Sequence, residues 1–496
     1  MSSFAYRRII QSSAVYGAGI VAARFASFAL LPVYTRYLAT SDYGTLELLD
    51  TTLFVVGLLL GGRFADALYY HYSLAESAAQ KRRVLSTVTL GAWLIGMGGA
   101  ACGWLLAPFI SRLVFQDASY ARYFQIVFLS FGLGIPVEVG FARLRAMDRP
   151  VLYVTASLAR LCLTLALTIY LVVFLGMKVD GVLYSNLTAT VLLAGALTAA
   201  SVWSSGIGFC AAVFLKTLRF AVPLGIAGIG LFLIHFGDRF FLQRYASLGE
   251  IGIYALAYKL GMLVSQIQLA FGTYWGAQGY QILRSPEGPR VFARVNTYLM
   301  AAVVWGGLAI VSFTPPVVAL MAAPPYAAAV QYVPWIVLAY VLRVEADYFR
   351  FTLYLDAATG TDAALVWVAA AVCTLGYAFL IPSFKLWGAV ASTLAAFVAL
   401  TAGARWVSVR RRPFPLENSR LIHLVLTAVP LAALSLWIQP AKSWQSWATA
   451  VMITLAFPLL LLISGFVGPD EKAALTSLLQ EVRRKFGTDP ARGSLS

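Results

Sequence analysis

The amino-acid sequence predicts an all-α polytopic membrane protein with about fourteen transmembrane helices. Apolar stretches fill the 496-residue chain almost end to end and are broken only by short polar loops. A spanning helix needs about 20 predominantly apolar residues, and segments 85–106, 151–175 and 447–467 each supply them. The chain is 60% hydrophobic and 12% charged, with a mean hydropathy of +0.79, whereas soluble domains carry roughly 25% charged residues. The runs are continuously apolar, which excludes the alternation over about 10 residues that marks membrane β-strands.

Taken in order, the expected spans are 12–36, 42–70, 84–108, 120–142, 150–176, 180–204, 217–243, 250–280, 293–321, 331–355, 362–382, 386–407, 421–438 and 446–467. They group as a first six-helix lobe (1–216), a second (217–408) and two further helices (409–467). A tail, 468–496, follows. Within it Ala474, Leu475, Leu478, Leu479, Val482 and Phe486 recur at helical spacing among basic residues, the pattern of an interfacial amphipathic helix.

A formal net charge of +16 raises the question of nucleic acid, but the basic residues sit in loops that recur after every second span. Lys81, Arg82 and Arg83, then Arg143, Arg145 and Arg149, then Arg284, Arg290 and Arg294, then Arg410, Arg411 and Arg412 all fall on one side. That is the positive-inside signature, and it places both termini in the cytoplasm. The apolar run after Arg7 and Arg8 continues to about Tyr34, too long for the core of a cleavable signal peptide. Cys102, Cys162, Cys210 and Cys373 fall in or beside apolar runs and are expected as free thiols behaving as small hydrophobes.

An internal repeat strengthens the two-lobe reading. Arg36, Tyr37, Asp42 and Gly44 recur in register as Arg244, Tyr245, Glu250 and Gly252, 208 positions later. An even number of spans separates the copies, so the halves share one topology and are related by an axis along the membrane normal. Two such lobes facing one another would enclose a central cavity.

The run Leu30-Leu31-Pro32-Val33-Tyr34-Thr35-Arg36-Tyr37-Leu38 with Asp42-Tyr43-Gly44 resembles the opening signature of the Wzx-type oligosaccharide flippases. These form the polysaccharide transport branch of the multidrug/oligosaccharidyl-lipid/polysaccharide exporter superfamily. Asp238-Arg239-Phe240-Phe241-Leu242 and Glu250-Ile251-Gly252-Ile253-Tyr254 through Ala257-Tyr258-Lys259 form a second matching stretch. The resemblance implies translocation of polyprenyl-diphosphate-linked glycan across the bacterial inner membrane by alternating access. It also implies membrane lipids, a glycan polymerase and glycosyltransferases of the same pathway as partners. No nucleic acid, cofactor, metal site or catalytic residue is expected, and coupling to H⁺ or Na⁺ is left open among Asp66, Glu138, Asp238 and Glu345. The chain carries no Walker A motif, so an ATP-driven reading lacks its phosphate cradle.

Ionisable groups at membrane depth are expensive and line polar cavities or pair with one another. Arg24 and Arg160 have no carboxylate at i±3 or i±4 on their own spans, and Lys259 lies far from either end of its span. These three are the expected cavity cations for a substrate diphosphate; a salt bridge from Arg24 to Glu47 or Asp50 is the structural alternative. Arg63 and Asp66, Asp238 and Arg239, and the ladder Arg343, Asp347 and Arg350 have local partners of opposite sign and are expected in gating, coupling or structural pairs. His235 shares a face with Asp238 and Arg239, an arrangement open to proton relay. Lys259, Gln266 and Thr273 recur every seventh residue as a polar stripe. Tyr254, Tyr258, Tyr274 and Trp275 are candidates for stacking on sugar rings, although at 14% aromatic content most rings pack.

Pro32, Pro136, Pro223, Pro334 and Pro430 fall in or near the start of spans, where each removes a backbone hydrogen bond and bends its helix. Gly96, Gly98 and Gly99 read as close-packing sites. Three rival functions are disfavoured: a drug antiporter for want of dominant carboxylates, a membrane-embedded polymerase or ligase for want of large outer loops, and a channel for want of a filter motif.

Overall fold

The computed structural model describes residues 30–60, 64–356, 358–438, 443–466 and 468. Helices account for nearly all of them, and the described residues contain no β-strand. The described part of α1 covers 30–37. There follow α2 (Thr40–Leu60), α3 (Phe64–Leu74), α4 (Ala78–Phe115), α5 (Ala121–Ala146) and α6 (Pro150–Thr168), which runs on as a π-helical turn, Ile169–Phe174. Next come α7 (Lys178–Ser205), α8 (Ala211–Phe236), α9 (Asp238–Tyr245), α10 (Leu248–Gly261), α11 (Ser265–Leu283) and α12 (Gly288–Met321). The chain ends in α13 (Val333–Leu355), α14 (Thr359–Arg411), α15 (Asn418–Trp437) and α16 (Ser443–Ile463).

Among the described residues, every span expected from residue 42 onward falls on helix, because bilayer-length apolar runs leave the backbone no other way to satisfy its hydrogen bonds. The expected spans 42–70 and 217–243 each fall on two helices, α2 with α3 and α8 with α9. Among the described residues nine helices are long and apolar enough to cross a membrane, or ten when Pro324–Gln331 and α13, bent by 45°, count as one span. One of these, α14, is two expected spans joined at Lys385, whose φ of 48° interrupts the helix. The first expected span is described only from residue 30, and the expected tail helix lies outside the described residues.

Local chemistry explains several boundaries. Ser77 and Gln80 form a reciprocal capping box at the start of α4. Tyr332 and Pro334 mark the bend before α13, since the proline ring cannot follow an unbroken helix. α4 and α5 meet backbone to backbone: a Cβ on Gly96 would lie 2.1 Å from the Gly132 carbonyl oxygen. The expectation of glycine as a close-packing residue holds there, whereas Gly98 has open space around it. All four cysteines are free thiols.

The chain divides into two compact units. The first comprises Met1–Lys259, Val318–Tyr332 and Gly360–Leu400. Its core packs Phe64, Leu68, Val88, Ala92, Ile135 and Val139 of α3, α4 and α5, with a neighbouring cluster of Val137, Phe141, Ala194 and Leu197. The second comprises Leu260–Val317, Val333–Thr359 and Thr401–Ser496. There Met300, Leu308, Leu424, Ile453 and Phe457 join α12, α15 and α16, and in the same unit the Phe292 ring stacks on Tyr348 and packs tilted against Phe414.

Candidate functional site

In the first unit, α2, α9 and α10 bring four charged side chains together. Glu47 of α2 accepts from Arg239 of α9, with both Nε and Nη2 3.1 Å from Oε1, and its Oε2 lies 3.7 Å from the Lys259 ammonium of α10. Arg239 also pairs with Asp238 at 2.7 Å, and the Tyr254 hydroxyl donates to the other Asp238 oxygen at 2.6 Å. Asp238 is 0% and Arg239 1% exposed. Two carboxylates and two cations cancel, which makes burial tolerable where a single charge would be expelled or neutralised. The rings of Phe236, Tyr254 and Tyr258 enclose the guanidinium, with Tyr258 nearest at 4.3 Å.

Lys259 is the half-exposed end of this network. Its side chain is 46% accessible, and the ammonium stands over the Tyr43 ring at 4.7 Å. The lysine thus has a carboxylate partner that its own helix does not reveal. His235 joins through its backbone: its carbonyl accepts from Arg239, while its ring packs against Phe397.

A cavity of about 310 Å³ lies among α2, α3, α5, α6 and α7, lined by Asp50, Ser130, Glu138, Arg160, Asn186 and Thr190 together with apolar side chains. Arg160, near the middle of α6 and its π-helical continuation, is not the isolated cation expected from its own helix. Its guanidinium lies 3.5 Å from Glu138 of α5, a pairing between helices that neutralises part of the cost of a charge at this depth. Two carboxylates and one guanidinium therefore face this cavity. Asp66 lies on the exposed face of α3 and lines a second cavity with Tyr69, Arg145 and Asp148.

In the second unit the ladder on α13 is self-compensating as expected. Asp347 accepts from Arg350 at 2.7 Å and from Gln268 of α11 at 2.9 Å, and lies 3.6 Å from Arg343. Glu345, on another face, pairs with Arg405 at 3.2 Å. The expected stripe of Lys259, Gln266 and Thr273 assumes one unbroken helix. A 3₁₀ turn at Met262–Val264 separates α10 from α11 and shifts the register, and it is Gln268 that finds the carboxylate.

Three of the expected sugar-stacking rings are corrected outright, and the side chain of the fourth, Tyr274, lies outside the described residues. Tyr254 and Tyr258 are 0% and 1% exposed and clasp Arg239. Trp275 is buried against Phe271 and Tyr348. Arg24 and Arg63 lie outside the described residues. Sequence reasoning did not single out Asn186 and Thr190 as cavity residues; an amide in an otherwise apolar span was the available signal.

The family described as "Polysaccharide biosynthesis protein" matches residues 9–274, more than half of the chain. No sequence among the curated proteins matches. Among solved structures, the lipid II flippase MurJ in an inward closed conformation superposes with a TM-score of 0.70 at 11% identity, covering 90% of this chain and 99% of MurJ. An inward-facing multidrug resistance MATE family transporter of the MOP superfamily gives 0.60 at 12% identity, covering 80% of this chain and 96% of that one. An outward-facing MATE transporter gives 0.53 at 13%, with coverage of 82% and 96%. At such identities the likeness shows a shared fold.

Proposed function

The chain belongs to the polysaccharide biosynthesis protein family, and from that premise we propose that it carries polyprenyl-diphosphate-linked oligosaccharide from the cytoplasmic to the outer leaflet of a bacterial inner membrane. The translocation runs by alternating access with no covalent chemistry. The observation that carries the reading is the ionisable cavity of Asp50, Glu138, Arg160 and Asn186 within a bundle of apolar spans. A diphosphate and a glycan taken through hydrocarbon without compensation would cost many kcal/mol, and a chamber of charged and amide groups lowers that cost while the polyprenyl chain stays in lipid. Sharing the fold of a lipid II flippase supports this choice.

In this reading Arg160, Lys259 and Arg24 contact the diphosphate. Arg160 and Lys259 are held by carboxylates, Glu138 and Glu47, and released toward the substrate by exchange of partners. Asp50 and Glu138 line the cavity and in this reading would exchange H⁺ or Na⁺ with it. The polymerase and glycosyltransferases of the same pathway would receive and supply the lipid-linked glycan.

Deleting the gene tests the proposal: lipid-linked glycan should accumulate on the inner leaflet. Accumulation of unpolymerised glycan on the outer leaflet would point to a polymerase or ligase instead. The excess of carboxylate over guanidinium in the cavity gives one second reading, a drug or ion antiporter, and a multidrug resistance MATE family transporter shares the fold. Purified protein in proteoliposomes separates the two. Movement of glycan lipid under an imposed ion gradient supports the flippase, and counter-movement of an organic cation with no glycan movement replaces it.

A further inference from the structure

The second cavity differs in chemistry from the first. It has a volume of about 780 Å³, within the ~300–1,000 Å³ of ligand pockets. Asp66, Tyr69 and Tyr70 of α3, Arg145 of α5, Asp148 in the turn beyond it and Tyr153 of α6 line it. Its charged groups, two carboxylates and one guanidinium, match those of the first cavity, but three phenol rings join them here where the first has none. They suit a neutral polyhydroxylated ligand, whose C–H faces cover aromatic rings while its hydroxyls meet charged acceptors and donors.

The rings are held in place from behind. α3 buries Phe64, Ala67 and Leu68 in the core, which leaves Tyr69 57% exposed on the other side. Tyr70 stacks on Phe220 with centroids 4.7 Å apart and planes within 12°. The Arg145 guanidinium stands 5.7 Å from the Tyr153 ring centre.

Asp148 occupies a position that its backbone would assign to glycine. α5 ends with the Arg149 N–H donating to the Leu144 carbonyl and the Asp148 N–H to that of Arg145, and Asp148 has φ of 52°. This is a Schellman-type stop, where glycine avoids the left-handed penalty. Here the chain places a carboxylate at the cavity wall instead.

We propose that this cavity, formed by Asp66, Tyr69, Arg145, Asp148 and Tyr153, is a glycan-binding vestibule that captures the oligosaccharide of the substrate on the cytoplasmic side. It rests on the flippase reading above and on the cytoplasmic placement that the positive-inside pattern predicts for the loop carrying Arg143, Arg145 and Arg149. Ala65 lines both cavities, so a sugar held here adjoins the ionisable chamber. The vestibule recognises the sugar and the chamber the charge.

The test compares two ligands on the full chain in nanodiscs: undecaprenyl diphosphate, and the glycan lipid extracted from a strain lacking the gene. Wild type should bind the glycan lipid more tightly. Tyr69→Ala should weaken the glycan lipid alone, by about fivefold for one lost stacking contact, and Tyr69→Trp should restore it. Asp148→Gly eases the turn, so it should raise or keep thermal stability while lowering glycan-lipid affinity. Equal losses for both ligands, or no loss in either variant at unchanged stability, would overturn the vestibule. If the deletion strain accumulates no glycan lipid, or the wild type binds neither ligand, the flippase reading itself fails and the vestibule with it.

Discussion

Gly44 and Gly252 face each other where the first turns of α2 and α10 cross. A Cβ added to Gly44 would stand 1.9 Å from the Leu248 carbonyl oxygen, and one added to Gly252 would stand 2.1 Å from that of Thr40. The contact is reciprocal: each member of one repeat meets the 208-shifted equivalent of its partner, as a local two-fold axis demands. The caps repeat as well, since Asp42 accepts from the Ala39 N–H and Glu250 from the Ser247 N–H, at equivalent positions. The duplicated motif therefore packs on its own copy.

Because the obstructing atoms are backbone, they cannot rotate away. Gly44→Ala or Gly252→Ala should destabilise the protein by about 1–3 kcal/mol, the range for overpacking a close contact. Thermal unfolding in detergent measures it, and Gly98→Ala, with open space around its position, is the control expected to stay at wild-type stability.

The Glu47 network makes a sharper contrast. Glu47→Ala leaves Arg239, 1% exposed, without one of its two carboxylates, and breaking such a buried pair costs about 3–5 kcal/mol. Lys259→Gln removes the half-exposed end and should cost about 1 kcal/mol or less. If both variants unfold at the same temperature, the network is not organised around the buried guanidinium. Export measured at matched protein level then isolates the contribution of Lys259 to substrate binding.

Helix placement was legible because the bilayer demands runs of fixed length, and the intrahelical ladder of Arg343, Asp347 and Arg350 was legible because i,i+3 and i,i+4 spacing encodes it. Partners on other helices were not. Nothing in the local sequence of Arg160 points to Glu138, or in that of Lys259 to Glu47, since these pairs depend on how helices far apart in the chain pack. The 3₁₀ turn at Met262–Val264 escaped notice because its residues are as apolar as their neighbours. Tyr254 and Tyr258, sugar-stacking candidates from their type, turn out to enclose Arg239, whereas Tyr69 and Tyr70, in the same expected span as Asp66, carry the exposed rings.

Asp347 collects Arg343, Arg350 and Gln268 on one carboxylate. Asp347→Asn removes the charge that offsets two guanidinium groups and should lower stability by about 1–3 kcal/mol, the cost of leaving charged donors poorly satisfied. Gln268→Ala loses a single neutral donor and should cost about 1 kcal/mol. Chemical denaturation of the purified protein in detergent, or its thermal shift, orders the two, and a larger loss for Gln268→Ala would contradict this account of the ladder.

The pair Arg160 and Glu138 tests the chamber itself. Hydrogen bonds to charged groups contribute about 1.5–3 kcal/mol, so Arg160→Ala should reduce glycan-lipid transport about tenfold or more with the protein still folded. Its unpaired Glu138 stays 61% exposed and hence tolerable. Asp50→Asn keeps the cavity shape and removes one negative charge. If Asp50 exchanges ions, this variant should retain glycan-lipid binding while losing acceleration by an imposed H⁺ or Na⁺ gradient. Transport by Asp50→Asn that still follows the gradient would transfer coupling to Glu138, where Glu138→Gln repeats the measurement. If Arg160→Ala transports at the wild-type rate, its guanidinium serves Glu138 and the packing of α5 on α6, and substrate charge is met elsewhere.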